Sequence, residues 1–120
     1  MSMNNAGHLG LKLRSFYEDV EAQNFSKVLS IFAENVEYLR GPKILLGKKE
    51  VDEFYRSQRD LDGKHTIEHL VVVENEAFVI ARFVGYHAHT PIDIRFADYF
   101  VFDKNDKVVR RESFSSRDFL

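Results

Sequence analysis

The carboxyl-terminal half of the chain constrains the fold more than any other feature. Four runs there combine apolar alternation with the β-branched and aromatic residues typical of strands: 64–73, 77–89, 92–102 and 107 to about 117. The connections are short and rich in turn residues: 74–76, 90–91 and 103–106. Because such short connections favour antiparallel neighbours, these runs predict a meandering antiparallel sheet.

The amino-terminal half has helical periodicity instead. Apolar residues recur at spacings of three and four from about residue 8 to residue 23, and the pattern restarts over 25–32, with Ser26 as a candidate cap. A short strand is predicted over 36–40, then a loop with Gly41-Pro42 and Gly47, and a third helix over 48–60. Helices followed by a sheet indicate an α+β fold, with a flexible segment at 1–8 and one domain over 9–120.

Composition and motifs exclude several classes of function. The net charge is −2 and the charges are interspersed, so no basic surface for nucleic acid is expected. The chain has no cysteine, no run long enough to span a membrane and no signal peptide at its start, which favours a cytoplasmic protein without disulfides. Nucleotide-binding, serine-hydrolase and zincin motifs are lacking, so no cofactor is expected. His87-x-His89 has no third ligand in any motif, so no metal site is expected.

Asp98 interrupts the apolar face of the predicted strand over 92–102. Every other residue on that face is Ile or Phe. Two interpretations stay open: a carboxyl kept neutral by its apolar surroundings and able to donate a hydrogen bond, or a structural carboxylate paired with an arginine or a helix terminus.

Three segments together resemble a known superfamily: "FYEDVEAQNFSKVLSIFAENVEY", "GKKEVDEFYRS" and "FADYFVFDKNDKVV". They are similar to the landmark segments of nuclear transport factor 2-like proteins, including the SnoaL-like polyketide-cyclase and ketosteroid-isomerase branches. The resemblance covers roughly residues 9–117. It implies a cone, with three helices packed on a strongly curved antiparallel sheet that encloses a cavity.

The resemblance also implies candidate catalytic residues. Tyr17 and Asp98 fall where the ketosteroid isomerases place the hydroxyl donor and the protonated acid of their oxyanion hole. Those enzymes are a standard example of a buried carboxylic acid that stays neutral. The general base of those enzymes falls at Arg40, which cannot accept a proton, so that mechanism does not carry over. Arg40 remains a candidate for binding an anionic substrate, for pairing with Asp98 or for facing solvent. The epoxide-hydrolase branch has an arginine where this chain has Phe96, which argues against that chemistry.

A further set of side chains is predicted to bind a ligand in the cavity. Most of them are apolar, and one is an arginine on an otherwise apolar strand face. They are Phe54, Tyr55, Ile80, Arg82, Val84, Phe96, Phe100 and Ser113. Arg82 is also predicted to pair with Asp98 on the neighbouring strand, since buried charges need partners.

The run over 77–89 is apolar on both faces, which predicts a homodimer formed through the outer face of the sheet. For function, the leading hypothesis is binding of a small apolar molecule with a carbonyl or phenol oxygen through Tyr17 and Asp98. Isomerase, cyclase or dehydratase chemistry would follow from such a site. The alternative is a non-catalytic homodimeric module with a structural Asp98. Because no base is identified, the sequence leaves open whether the chain is an enzyme.

Overall fold

One six-stranded sheet and three helices make up the described part of the chain. The structure is a computed structural model that describes residues 2–115, with side chains from residue 6 onward. In chain order the elements are α1 (Ser2–Glu21), α2 (Phe25–Ser30), β1 (Phe32–Arg40), β2 (Lys43–Leu46), α3 (Gly47–Glu53), a π-helical turn (Phe54–Gln58), β3 (Leu61–Val73), β4 (Glu76–His87), β5 (Thr90–Phe102) and β6 (Val108–Ser115).

The sheet has the strand order β2-β1-β6-β5-β4-β3. All neighbouring strands are antiparallel except β1 and β6, which run parallel. The sheet is curved and open, and the helices cover its concave face. The predicted α+β class, with three helices on a curved sheet, is therefore confirmed.

Helix α1 packs the predicted apolar stripe into the core. Leu9, Leu13, Phe16, Tyr17 and Val20 are all buried, as their spacing predicts. The helix begins at Ser2, so it extends over most of the segment 1–8 for which the sequence predicts flexibility.

Three features of the amino-terminal half differ from the prediction. Helix α2 ends at Ser30 and Phe32 begins β1, since the aromatic and β-branched residues that follow suit a strand as well as a helix. Asn24 rather than Ser26 occupies the N-cap position, and it makes no side-chain capping bond. The predicted loop after Arg40 contains β2, a short edge strand that pairs with β1.

The four predicted carboxyl-terminal strands are all present, and β5 has the predicted alternation. Its even-numbered residues face the core and Asp98 is among them. Strand β3 has a bulge between Ile67 and His69, which shifts the inward-facing positions from odd to even numbers. Strand β6 is described to Ser115, and residues 116–117 of its prediction lie outside the described residues.

The β4–β5 turn lies at Ala88 and His89, not at residues 90–91 as predicted. Both turn residues have positive φ, 48° and 72°. A two-residue hairpin turn of type I′ needs such angles and usually takes Gly, Asn or Asp, so Ala-His gave no turn signal.

Strand β4 corrects the prediction of which side chains face the cavity. The register pairs Val79 with Asp98, so the odd-numbered residues of β4 face the helices. Ile80, Arg82 and Val84 therefore lie on the outer face, where Val84 is 51% exposed. Because β4 has apolar residues on both faces, alternation alone could not predict which face lies against the helices.

Large apolar side chains are exposed on the outer side of the sheet. On β4 they include Phe78, Val84 and Tyr86, at 44–54% exposure, and β6 adds Phe114. Among the helices of residues 2–115, none is both long and apolar enough to cross a membrane.

Candidate functional site

A cavity opens between α1, the segment after α3 and the concave face of the sheet. Its volume is about 50 Å³, taken as the space that the centres of water molecules can occupy. Such a volume exceeds the need of a single water molecule. The lining residues are Phe16, Tyr17, Val20, Arg40, Tyr55, Arg59, Leu61, His65, Phe83, Ile94, Phe96, Arg111, Ser113 and Ser115.

Asp98 is buried at 2% exposure and accepts three hydrogen bonds. Arg111 Nη2 donates to its Oδ2 atom at 2.8 Å, the Tyr17 hydroxyl donates to the same atom, and the Ser113 hydroxyl donates to Oδ1. An ionised carboxylate only accepts hydrogen bonds, so three donors around Asp98 fit its charged form.

Electrostatics agree with this geometry. Burial raises the pKa of Asp98, but the charge of Arg111 and the hydrogen bonds from Arg111, Ser113 and Tyr17 outweigh burial, so the pKa lies below its usual value. Burial and the charge of Asp98 hold the pKa of Tyr17 well above its usual range. Asp98 is thus an ion-paired carboxylate, not the neutral donor of the first hypothesis, and Tyr17 is a neutral phenol that donates to it.

The partner of Asp98 is Arg111, not Arg40 or Arg82 as considered from the sequence. Arg82 makes two bonds to Asp93 on the outer face, at 2.7 and 3.0 Å. Arg111 is itself 5% exposed.

Aromatic rings surround the Arg111 guanidinium. Its Cζ atom lies 4.5 Å from the ring centroid of Tyr38, 5.1 Å from that of Phe16 and 5.3 Å from that of Phe100. Such cation–π contacts and the carboxylate together compensate a buried charge.

Arg40 is linked to Asp98 through two hydroxyl groups. Its Nη1 atom donates to the Tyr38 hydroxyl at 3.0 Å, Tyr38 lies 2.9 Å from the Ser113 hydroxyl, and Ser113 donates to Asp98. Arg40 is half-buried and lines the cavity rather than facing solvent.

The π-helical turn brings Tyr55 and Arg59 to the cavity. The Arg59 amide donates to the Phe54 carbonyl, five residues earlier, at 2.8 Å, which is the hydrogen-bond pattern of a π-helix. Arg111 Nη1 donates to the Tyr55 hydroxyl at 2.7 Å. Tyr55 is therefore an acceptor in that bond, and within residues 6–115 its own proton has no hydrogen-bond acceptor. Burial keeps its pKa above the usual value, so the phenol stays neutral.

His65 and Glu21 form a second polar pair at the cavity. The Glu21 carboxylate accepts from the backbone amide of His65 and lies 3.1 Å from its Nδ1 atom. Since a carboxylate accepts, Nδ1 carries the proton and Nε2 keeps its lone pair. Burial and the charge of Arg59 lower the pKa of His65 to about 4, although Glu21 acts in the opposite direction. His65 is therefore neutral at physiological pH.

The predicted site residues fall into three groups. Tyr17, Arg40, Tyr55, Phe96 and Ser113 line the cavity. Phe54, Phe100 and Asp98 are buried without lining it. Ile80, Arg82 and Val84 lie on the opposite face of the sheet.

The sequence reasoning missed Arg59, His65 and Arg111 as site residues. Arg111 has a signal, because Ser113 was placed on the Asp98 face and Arg111 lies two residues earlier on the same strand. No motif marks His65 as a site residue. Arg59 lies at the end of the third helix predicted over 48–60, and a charged side chain at such a position is usually exposed. Within residues 6–115, no three His, Asp or Glu side chains cluster as metal ligands would.

Comparison with solved structures finds the same fold in several proteins. An M. tuberculosis LEH-like epoxide hydrolase is 10% identical, with a TM-score of 0.82, covering 93% of this chain and 85% of its own. A candidate ketosteroid isomerase from Kribbella flavida DSM 17836 is 13% identical, with a TM-score of 0.81, covering 97% and 83%. A protein from Catenulispora acidiphila DSM 44928 with a ketosteroid isomerase-like fold, in complex with trimethylamine, is 12% identical, with a TM-score of 0.75, covering 86% and 83%.

At such low identity these likenesses establish the fold alone, which is that of the nuclear transport factor 2-like proteins. No protein of curated function matches the sequence. The SnoaL-like domain family matches residues 13–111, nearly the whole chain. The resemblance drawn from the three sequence segments is thereby confirmed, and the chain belongs to the SnoaL-like family.

Proposed function

We propose that this chain binds a small molecule with a largely apolar body in the cavity and holds one oxygen of that molecule by hydrogen bonds. The observation that carries the proposal is the combination of aromatic walls with a buried hydroxyl whose proton has no acceptor in the described part of the chain. Phe83 and Phe96 supply walls, and Tyr55 supplies the hydroxyl beside Arg111. Apolar cavities with a few convergent polar groups are the usual form of small-molecule sites.

The oxygen-binding role belongs to Tyr55 and Arg111 in this proposal, rather than to Tyr17 and Asp98. Tyr17 already donates to Asp98, and Asp98 accepts from Arg111. Asp98 and Tyr17 would therefore act as positioning residues, because they fix the guanidinium that in turn polarises the Tyr55 hydroxyl. A carbonyl or phenol oxygen facing that hydroxyl would receive a strengthened hydrogen bond.

Proton-transfer chemistry of the isomerase, cyclase or dehydratase type extends the proposal. Such chemistry needs a proton acceptor near the donor that stabilises the developing oxyanion. His65 supplies an acceptor at Nε2, oriented by Glu21, on the wall of the same cavity. His65 would then be the base, which the sequence alone did not identify.

The test is titration with 2-naphthol as an aromatic probe that carries one phenolic oxygen. Tyr55→Phe removes the proposed donor, and Tyr86→Phe, on the outer face, is the matched control. We expect Tyr55→Phe to weaken binding by about 2- to 10-fold, the usual effect of one neutral hydrogen bond, and Tyr86→Phe to leave it unchanged. Equal affinity in all three proteins, or no saturable binding to wild type, would overturn the proposal.

The second candidate is a homodimer formed through the outer sheet face. The exposed apolar side chains of Phe78, Val84, Tyr86 and Phe114 favour it, because a solvated antiparallel sheet face is normally polar. Sedimentation equilibrium of wild type and Val84→Glu tests this. A wild-type dimer that the substitution dissociates supports the interface, whereas a monomeric wild type at high micromolar concentration refutes it.

A further inference from the structure

Three guanidinium groups converge on one cavity. Arg40 comes from the end of β1, Arg59 follows the π-helical turn and Arg111 comes from β6. Burial lowers the pKa of Arg59, and the charges of Arg40 and Arg111 lower it further. The cavity therefore concentrates positive charge at positions far apart in the sequence.

Negative charge in the described surroundings is already engaged. Asp98 accepts from Arg111, and Glu21 faces His65. His65 is neutral, so it adds no charge of either sign. Among the described residues, neither of these two carboxylates forms an ion pair with Arg59.

Arg59 has unused hydrogen-bonding capacity at the cavity wall. The only hydrogen bond of its side chain within the described residues runs from Nη1 to the Leu61 carbonyl at 3.4 Å. The guanidinium is half-buried, with its Cζ atom 5.8 Å from the ring centroid of Tyr55 and 6.0 Å from that of Phe83. A guanidinium has five N–H donors, so most of those on Arg59 lack an acceptor from the described residues.

We propose that the cavity ligand carries a carboxylate on a planar aromatic body, bound by the Arg59 guanidinium and the Tyr55 hydroxyl. This inference rests on the proposed function and adds the charge of the ligand to it. The planar guanidinium of an arginine can donate two parallel hydrogen bonds to a carboxylate. A carboxylate oxygen can also accept the hydrogen bond that the Tyr55 hydroxyl has to donate.

Aromatic rings define the rest of the pocket and favour a flat ligand body. The His65 ring lies 5.0 Å from that of Phe83, 5.2 Å from that of Tyr17 and 6.0 Å from that of Phe96, measured between centroids. These rings pack against one another and form one apolar wall. In this proposal a benzoate-sized ring would lie against that wall while its carboxylate points to Arg59.

Paired titrations with benzoate and benzamide test the charge of the ligand. The two probes have nearly the same shape, and only benzoate is an anion. We expect benzoate to bind at least about tenfold more tightly, since charged hydrogen bonds commonly contribute that much, and we expect added salt to reduce the difference. Amide chemical shifts measured during the titration should change near residues 55–59 rather than on the outer sheet face.

Arg59→Gln should abolish the preference for benzoate over benzamide. Arg56→Gln is the matched control, because it removes the same charge from an exposed position in the π-helical turn that Arg59 follows. Arg59→Lys keeps the charge but loses the planar fork, so an intermediate preference is expected. Thermal unfolding of each variant reports whether it is folded, and Arg59→Lys decides the matter if Arg59→Gln does not fold.

The outcomes separate this inference from the proposed function. Equal affinity for benzoate and benzamide in the cavity overturns the carboxylate assignment and leaves small-molecule binding standing. A benzoate preference that survives Arg59→Gln overturns the role of Arg59. If neither these probes nor 2-naphthol bind, both proposals fail.

Discussion

Arg111 Nη2 lies 2.8 Å from Asp98 Oδ2, and both side chains are buried. Asp98 is on β5 and Arg111 on β6, two residues before Ser113, the register partner of Asp98. The only acidic residue on the core-facing side of β5 is thus held by an arginine from the neighbouring strand. This contact decides whether the carboxyl group is charged, and therefore which groups remain to bind a ligand.

The Asp98–Arg111 pair should show strong energetic coupling. Asp98→Asn leaves a buried guanidinium without its counter-charge and Arg111→Met leaves a buried carboxylate, so each is expected to lower the free energy of unfolding by about 3–5 kcal/mol. The double variant should lose clearly less than the sum of the two. Urea unfolding of the four proteins measures this. Additivity within about 0.5 kcal/mol would contradict the coupling.

His65 should make stability depend on pH in a defined window. Burial first, and then the charge of Arg59, lower its pKa from 6.5 to about 4 in the folded state. Between these values the unfolded chain binds more protons, so the contribution is fully present above pH 6.5 and is lost as the pH falls toward 4. The loss is up to about 3 kcal/mol, at about 1.4 kcal/mol per pKa unit.

Comparing His65→Asn with wild type isolates this contribution. The variant should remove the slope of the free energy of unfolding between pH 6.5 and 4. His69→Asn, an exposed position on the same strand, should keep it. A slope that persists in His65→Asn would show that other groups cause it, and an NMR titration of His65 in the folded protein gives its pKa directly.

Gly63 on β3 and Gly85 on β4 are register partners. The two backbones approach so closely there that neither position has room for a Cβ atom. A Cβ atom added to Gly85 would lie 2.1 Å from the Asp62 carbonyl oxygen and 2.6 Å from the Gly63 Cα atom. Since these are backbone atoms, the strands would have to separate.

Gly85→Ala should therefore lower the free energy of unfolding by about 1–3 kcal/mol, as overpacking usually does. Gly10→Ala is the control of opposite sign. It lies within α1 and its Cβ would make an ordinary contact with Leu70 at 3.5 Å, so a gain of about 0.5–1 kcal/mol is expected from helix propensity. Thermal or urea unfolding checks both, and an unchanged stability in Gly85→Ala would contradict the close approach.

The sequence determined the fold class and the inward direction of Asp98. The periodicities are local: spacings of three and four place Tyr17 on the buried stripe of α1, and a spacing of two places Asp98 on the core face of β5. Short turns then require antiparallel neighbours in the carboxyl-terminal half. None of these inferences needs to know which element contacts which.

Tertiary structure alone decided the partner of Asp98, the face of β4 and the charge of the cavity. Strand β4 is apolar on both faces, so only its register with β5 put Arg82 outside. Arg59 and Arg111 are 52 positions apart in the numbering, and the π-helical turn and β6 bring them to one cavity. A pattern along the chain reports which way a side chain points relative to its own element. The charge state of a buried group depends instead on atoms from other elements a few ångströms away, and only the folded chain brings these together.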